Sequence, residues 1–101
     1  MVSKYEIKYL PIAEEDLSDI IDYILTDNPD YAMELLRKFN ETISRLENFP
    51  NLGVVPKDSF IAQMNYRILI VDAYLVFYVF INDTIEIQRI INGKRKYDYL
   101  L

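Results

Sequence analysis

The sequence predicts an α+β fold, a helical hairpin packed on a small, mainly antiparallel sheet in the order β-α-α-β-β-β. Three observations predict it. Residues 12–26 and 29–48 repeat apolar side chains at helical spacing. Three β-branched and aromatic runs follow residue 66, separated by two-residue polar links. A short alternating segment precedes the first helix. One such set of elements in 101 residues, with no internal repeat, makes residues 1–101 a single domain.

Residues 4–10 read as a strand, with Tyr5, Ile7 and Tyr9 on one face and Lys4, Glu6 and Lys8 on the other. In the first helix Leu17, Ile20, Ile21, Ile24 and Leu25 form an apolar stripe, while Glu14, Glu15 and Asp16 crowd the first turns, where the helix dipole favours negative charge. Asn28 is a good N-cap and Pro29 a good first helical residue, so a second, separate helix starts there. Its stripe is Ala32, Leu35, Leu36, Phe39, Ile43 and Leu46. The short link predicts an antiparallel pair. Residues 49–65, with two prolines and one of the two glycines, read as irregular chain packed on the body. Strands follow at residues 66–71, 74–81 and 84–92, joined by Asp72-Ala73 and Asn82-Asp83 as hairpin turns. Residues 74–81 are apolar on both faces, which predicts a central strand covered by helices on at least one face. Arg89 breaks the alternation of the last strand and predicts a bulge or a partly buried arginine.

The chain contains no Cys and no His. Disulfides, thiolate chemistry and imidazole acid–base catalysis are excluded, leaving carboxylates, Lys, Arg, Tyr and hydroxyls. The N-terminus reads as a charged strand rather than a signal peptide, and apolar runs of at most nine residues fall short of a membrane span, so a cytoplasmic protein is expected. Net charge is −5 and unevenly spread. Residues 13–30 hold seven acids and no base, whereas Lys94-Arg95-Lys96 is a basic triplet. That balance disfavours broad nucleic-acid binding but permits a focused anionic site. The acids at positions 14–16, 19 and 22 have the spacing of a solvated helix face; neither a metal site nor a cofactor is expected.

Three stretches carry a family resemblance: Leu46 to Gly53 (LENFPNLG), Tyr66 to Tyr78 (YRILIVDAYLVFY), and Ile87 to Tyr97 (IQRIINGKRKY). With the element order, they make the chain similar to the RelE/ParE toxins of bacterial type II toxin–antitoxin systems over nearly its whole length. The resemblance implies one of two activities. RelE-like members cut mRNA on the ribosome, and ParE-like members block DNA gyrase without hydrolytic chemistry of their own. The nuclease branch commonly has a basic residue after the first Tyr of the central strand, where this chain has Leu75, and often a C-terminal His, where Asn92 stands before Gly93. The C-terminal segment looks more ParE-like. The expected function is a toxin that inhibits growth by binding a macromolecular target, DNA gyrase, and is neutralised by a cognate antitoxin. The alternatives are a ribosome-dependent mRNA endoribonuclease and a non-toxic relative that only binds antitoxin. The expected assembly is a homodimer or a toxin–antitoxin hetero-oligomer, with no membrane partner.

The candidate catalytic residues are Arg67, Arg89, Arg95 and Tyr97, and the candidate target-binding set is Arg89, Lys94, Arg95, Lys96 and Tyr97. Arg67 is either a strand residue paired with an acid or an anion contact. Arg89, inside an apolar run, either makes a structural ion pair or aims its guanidinium at a phosphate or carboxylate of a target. Lys94-Arg95-Lys96 is either a solvated run or the working patch, and Arg95 aligns with the family's Gly-Lys-Arg motif. Tyr97 either packs or stacks, or serves in proton transfer if a cation lowers its pKa.

Overall fold

The computed structural model describes residues 4–94, except for the side chain of Ser59. Its elements are β1 (Glu6–Tyr9), α1 (Pro11–Leu25), α2 (Pro29–Ser44), α3 (Ser59–Gln63), β2 (Arg67–Val71), β3 (Tyr74–Ile81) and β4 (Thr84–Asn92). The expected order therefore stands, with one addition: residues 49–65 are not wholly irregular. They contain α3, whose five residues are too few to show a periodicity. Asp58 caps it, its Oδ1 accepting from the backbone N–H groups of Phe60 at 2.9 Å and Ile61 at 3.2 Å.

The helices begin where the prolines put them. Pro11 and Pro29 are first-turn residues that need no intrahelical donor, and the Asn28 side chain accepts from Tyr31 N–H at 3.2 Å. The second helix is shorter than its apolar stripe: α2 stops at Ser44 and tightens into a 3-10 turn over Arg45–Glu47, which still buries Leu46. That turn holds the start of the chain, since Tyr5 N–H donates to Glu47 O at 2.9 Å.

The sheet order is β1-β4-β3-β2. β2, β3 and β4 form an antiparallel meander, and β3 is central. β1 joins β4 in parallel, with Ile7 opposite Ile85 and Tyr9 opposite Ile87. Both two-residue links are hairpin turns. Asn82 and Asp83 both have positive φ (48° and 64°), as a turn matching the sheet twist requires, and Asp72 takes the left-handed position (51°) in the other. A register shift between Phe77 and Tyr78 puts Arg89 opposite Phe77 and Ile87 opposite Tyr78, leaving Gln88 as the extra residue of a bulge.

Both faces of the sheet are apolar. On one, α1 and α2 pack Ala13, Ile21, Ala32, Leu35, Phe39 and Ile43 against Leu69, Val71, Val76, Tyr78, Ile85, Ile87 and Ile90. On the other, Ile61 of α3 joins Tyr66, Ile68, Phe77, Val79 and Ile91. Burying a Leu, Ile or Phe side chain contributes about 1.5–3 kcal/mol, so the larger face supplies most of the hydrophobic stabilisation.

One buried hydroxyl organises the loop after α2. Tyr78 is fully buried, and its OH accepts from Gly53 N–H at 2.9 Å while donating to Pro50 O at 2.8 Å. A Cβ at position 53 would lie 2.7 Å from Tyr78 Cε1 and 3.0 Å from Ile68 O, so only glycine allows this approach. Beyond it Val54 bridges to Ile68 through two 2.9 Å backbone hydrogen bonds, covering part of the β2 edge.

Two predictions follow from this packing. Tyr78→Phe strips Gly53 N–H and Pro50 O of their partner and should cost about 1–3 kcal/mol, measured by urea unfolding; Gly53→Ala should cost at least as much, because it forces Tyr78 or the backbone to shift. Burial raises the pKa values of Tyr9, Tyr31, Tyr66 and Tyr78 above the ordinary tyrosine value. The unfolded chain then loses these protons first as pH rises. Stability should be full below about pH 10 and fall above it, and Tyr78→Phe should flatten that fall. Unfolding midpoints across the alkaline range, with tyrosinate absorbance recorded in parallel, check the sign.

Candidate functional site

β4 is paired with β3 along its length, but β1 accompanies it only from Thr84 to Ile87. Leu10 N–H makes the last contact, to Ile87 O at 3.0 Å, and Pro11 then turns the chain into α1. The outer edge of β4 beyond that point needs another partner. Asp16, one and a half turns into α1, supplies it. Its Oδ2 accepts from Ile90 N–H at 3.0 Å and from Arg89 Nε at 2.7 Å, and its Oδ1 accepts from Arg89 Nη2 at 2.9 Å. The guanidinium and carboxylate meet as a two-point fork with side-chain exposures of 16% and 15%. The Asp16 hydrogen bond raises the Arg89 pKa; burial opposes it, and the charges of Asp16 and Glu15 add to the rise. Of the two readings of Arg89, the geometry shows the ion pair within the protein. The bulge and the partly buried arginine are both present.

Arg67 lies at the start of β2, two strands away, and its contacts are with the loop. Its Nη1 donates to Gly53 O at 2.9 Å and to Asn51 O at 3.4 Å. The expected acidic partner is replaced by two backbone carbonyls, because the Tyr78 hydroxyl draws the Pro50–Gly53 segment over this end of the sheet. Arg67 and Arg89 therefore serve different elements.

At the far end of β4, Gly93 N–H donates to Ala73 O at 2.8 Å, tying the strand end to the β2–β3 turn. A Cβ at position 93 would sit 3.2 Å from that oxygen. Asn92 Oδ1 then accepts from Lys94 N–H at 2.9 Å, and Lys94 is exposed. Arg95, Lys96 and Tyr97 lie outside the described residues. The turn itself is held to α2 by Asp72, which accepts from Tyr31 OH at 2.9 Å and Lys38 Nζ at 3.3 Å. Beside this strand end is a cleft of about 310 Å³ lined by Asp16, Asp19, Tyr23, Tyr74, Ile90 and Asn92. The structure thus brings Arg89 and Lys94 to one end of β4 and leaves Arg67 apart.

The four described tyrosines with shifted pKa values are all pushed upward, opposite to what a general base near neutrality needs. Among the described residues no group of three His, Cys, Asp or Glu converges on one point. Asp16 was missed by sequence reasoning as a site-organising residue. Its signal was its place on the apolar stripe, three residues after Ala13 and four before Ile20.

The model of the family described as ParE toxin of type II toxin-antitoxin system, parDE, matches residues 7–97. The chain belongs to this ParE toxin family. The match runs from β1 through Tyr97, so it includes the Gly93-Lys94-Arg95 motif as well as the described fold. Among solved structures, one titled as the chromosomal ParDE TA system from P. aeruginosa superposes with a TM-score of 0.75 at 19% identity, over 90% of this chain and 98% of the other. That likeness shows a shared fold. No curated protein matches the sequence. A family of toxins paired with antitoxins implies an antitoxin partner for this chain. No helix among the described residues is long and apolar enough to cross a membrane.

Asp16→Ala leaves a mostly buried guanidinium without its carboxylate and Ile90 N–H without an acceptor. It should cost about 2–3 kcal/mol, below the value for fully buried pairs because both groups keep some exposure. Asp16→Asn, which still accepts hydrogen bonds, should cost less. Chemical denaturation of the two variants gives the order; equal stability of Asp16→Ala and the parent would mean the pair contributes nothing.

Proposed function

We propose that the chain is the toxin of a two-protein module, that it inhibits growth by binding DNA gyrase without hydrolytic chemistry of its own, and that a cognate antitoxin neutralises it. The family match over residues 7–97 carries this reading, since it is to the ParE type. Three features support binding over mRNA cleavage. The chain has no His, and Leu75 stands where a nuclease would carry a base. Arg89, a candidate catalytic cation, is engaged by Asp16. A net charge of −5 suits a protein target better than an extended nucleic-acid track.

The target-binding segment is assigned to Lys94 through Tyr97, with Lys94, Arg95 and Lys96 as its cations; Arg89, held by Asp16, anchors the strand that leads to it. The strongly acidic first half would repel a nucleic acid, and the Gly93 N–H bond to Ala73 O fixes the end of β4 next to the first of these cations, Lys94. The antitoxin is assigned to the helical hairpin. There a groove of about 400 Å³ has an apolar floor of Tyr9, Leu17, Ile21 and Leu36. Contact of this kind is mainly apolar.

The purified protein should block gyrase supercoiling and leave ribosome-bound mRNA intact; cleavage of that mRNA with supercoiling unaffected would overturn the assignment. Arg95→Ala should remove growth inhibition, with circular dichroism confirming that the variant is folded. Full toxicity of a folded Lys94/Arg95/Lys96→Ala variant would move the site elsewhere. Raising salt to about 1 M, where screening acts over about 3 Å, should weaken the antitoxin complex less than tenfold, read by titration calorimetry.

A further inference from the structure

Lys38, Arg67 and Arg89 are the half-buried cations among the described residues. Two of them have a carboxylate: Lys38 lies 3.3 Å from Asp72, and Arg89 lies 2.7 Å from Asp16. Arg67 has none within ion-pair distance among the described residues, and its hydrogen bonds there use Nη1 alone. A partly buried guanidinium with most of its donors unanswered is a charge awaiting a counter-ion. It borders a cleft of about 360 Å³ between the Asn51–Val55 loop, the end of α3 and the start of β2, lined by Asn51, Val55, Asn65, Tyr66 and Phe80.

We propose that this cleft docks a glutamate side chain of a protein partner, with Arg67 as the anion contact. The two carbonyls that hold Nη1 fix the plane of the guanidinium before any ligand arrives, which lowers the ordering cost of a forked contact. Val55, Ala62 and Phe80 offer an apolar wall for the methylene stem, and the Asn51 and Asn65 amides offer donors for a second oxygen. A protein carboxylate suits the cleft better than a nucleic-acid phosphate. Arg67 is the one cation among the described residues lining it, and backbone-tracking nucleic-acid sites need several. The proposal does not depend on the gyrase assignment, because its test reads the cleft directly.

The test follows the arginine Nε–H signals of the isotopically labelled protein by NMR at constant ionic strength. N-acetyl-glutamate N-methylamide is titrated in one series and inorganic phosphate in another. The Arg67 signal should shift saturably with the glutamate probe, half-maximally on the order of 1–10 mM for so small a ligand, while that of exposed Arg45 should not. Asn65→Asp places a competing carboxylate at the cleft without touching Arg67, and Asp tolerates the φ of 63° found there. It should weaken the probe at least tenfold. With the Asn51 and Asn65 side-chain amide signals as the readout, Arg67→Lys, which keeps a cation and a donor for the loop, should weaken it less than Arg67→Gln. Equal shifts at Arg67 and Arg45, an unaltered response in Asn65→Asp, or tighter binding of phosphate than of the glutamate probe would each overturn the proposal.

Discussion

The last strand must be satisfied on both edges, yet its parallel neighbour is only four residues long. Most of the architecture can be read as the answer to that mismatch. β1 covers Thr84 to Ile87 and then has to leave, because Pro11 starts a helix and has no N–H to offer a strand. The first helix therefore lies beside the uncovered stretch, and a carboxylate one and a half turns along takes over where the strand stopped. By accepting from Ile90 N–H, Asp16 acts as one more residue of β1 would. A bare carboxylate there would be costly to desolvate, and the bulge at Gln88 brings the Arg89 guanidinium to it. The bulge, the buried arginine and the acid on an apolar stripe are thus parts of one arrangement.

A second constraint is that the sheet is apolar on both faces while the long helices cover only one. The Pro50–Gln63 segment deals with the other face through Ile61, and with the β2 edge through Val54. Its course is set by Tyr78, whose ring packs beneath the helices while its hydroxyl reaches the loop. Arg67 grips the same loop from the neighbouring strand. A tyrosine, an arginine and a glycine from three places in the chain hold one turn. This explains why Gly53 and the Tyr66-Arg67 pair sit inside the stretches that carry the family resemblance.

Elements with a strong local signal were legible in the sequence. Asn28-Pro29 marked the second helix start, the two polar dipeptides marked the hairpins, and residues 74–81 announced a central strand by being apolar on both faces. Arg89 was visible as an interruption, although its partner was not. Ion pairs across 73 positions leave no local pattern, and Asp16 among Glu14 and Glu15 resembles ordinary dipole charge. The carbonyl partners of Arg67 depend on a tertiary contact, the Tyr78 hydroxyl, and were invisible for the same reason, while the helix at Ser59–Gln63 is too short to show a periodicity. Of the candidate site, Arg67, Arg89 and Lys94 can be placed, on two separate parts of the sheet; Arg95, Lys96 and Tyr97 fall beyond the described residues.

The parallel pairing of the first and last strands also sets an order of events. Glu6 to Tyr9 meet Thr84 to Ile87, so the N-terminal strand is made first and waits for nearly the whole chain before it has anything to pair with. During synthesis the two helices emerge with their apolar stripes exposed, since the β3 and β4 side chains they cover have yet to be made. Closing so long a loop is slow and comes at the end. The sheet cannot close until β4 has been made, and until then the apolar faces of the two helices have nothing to cover them.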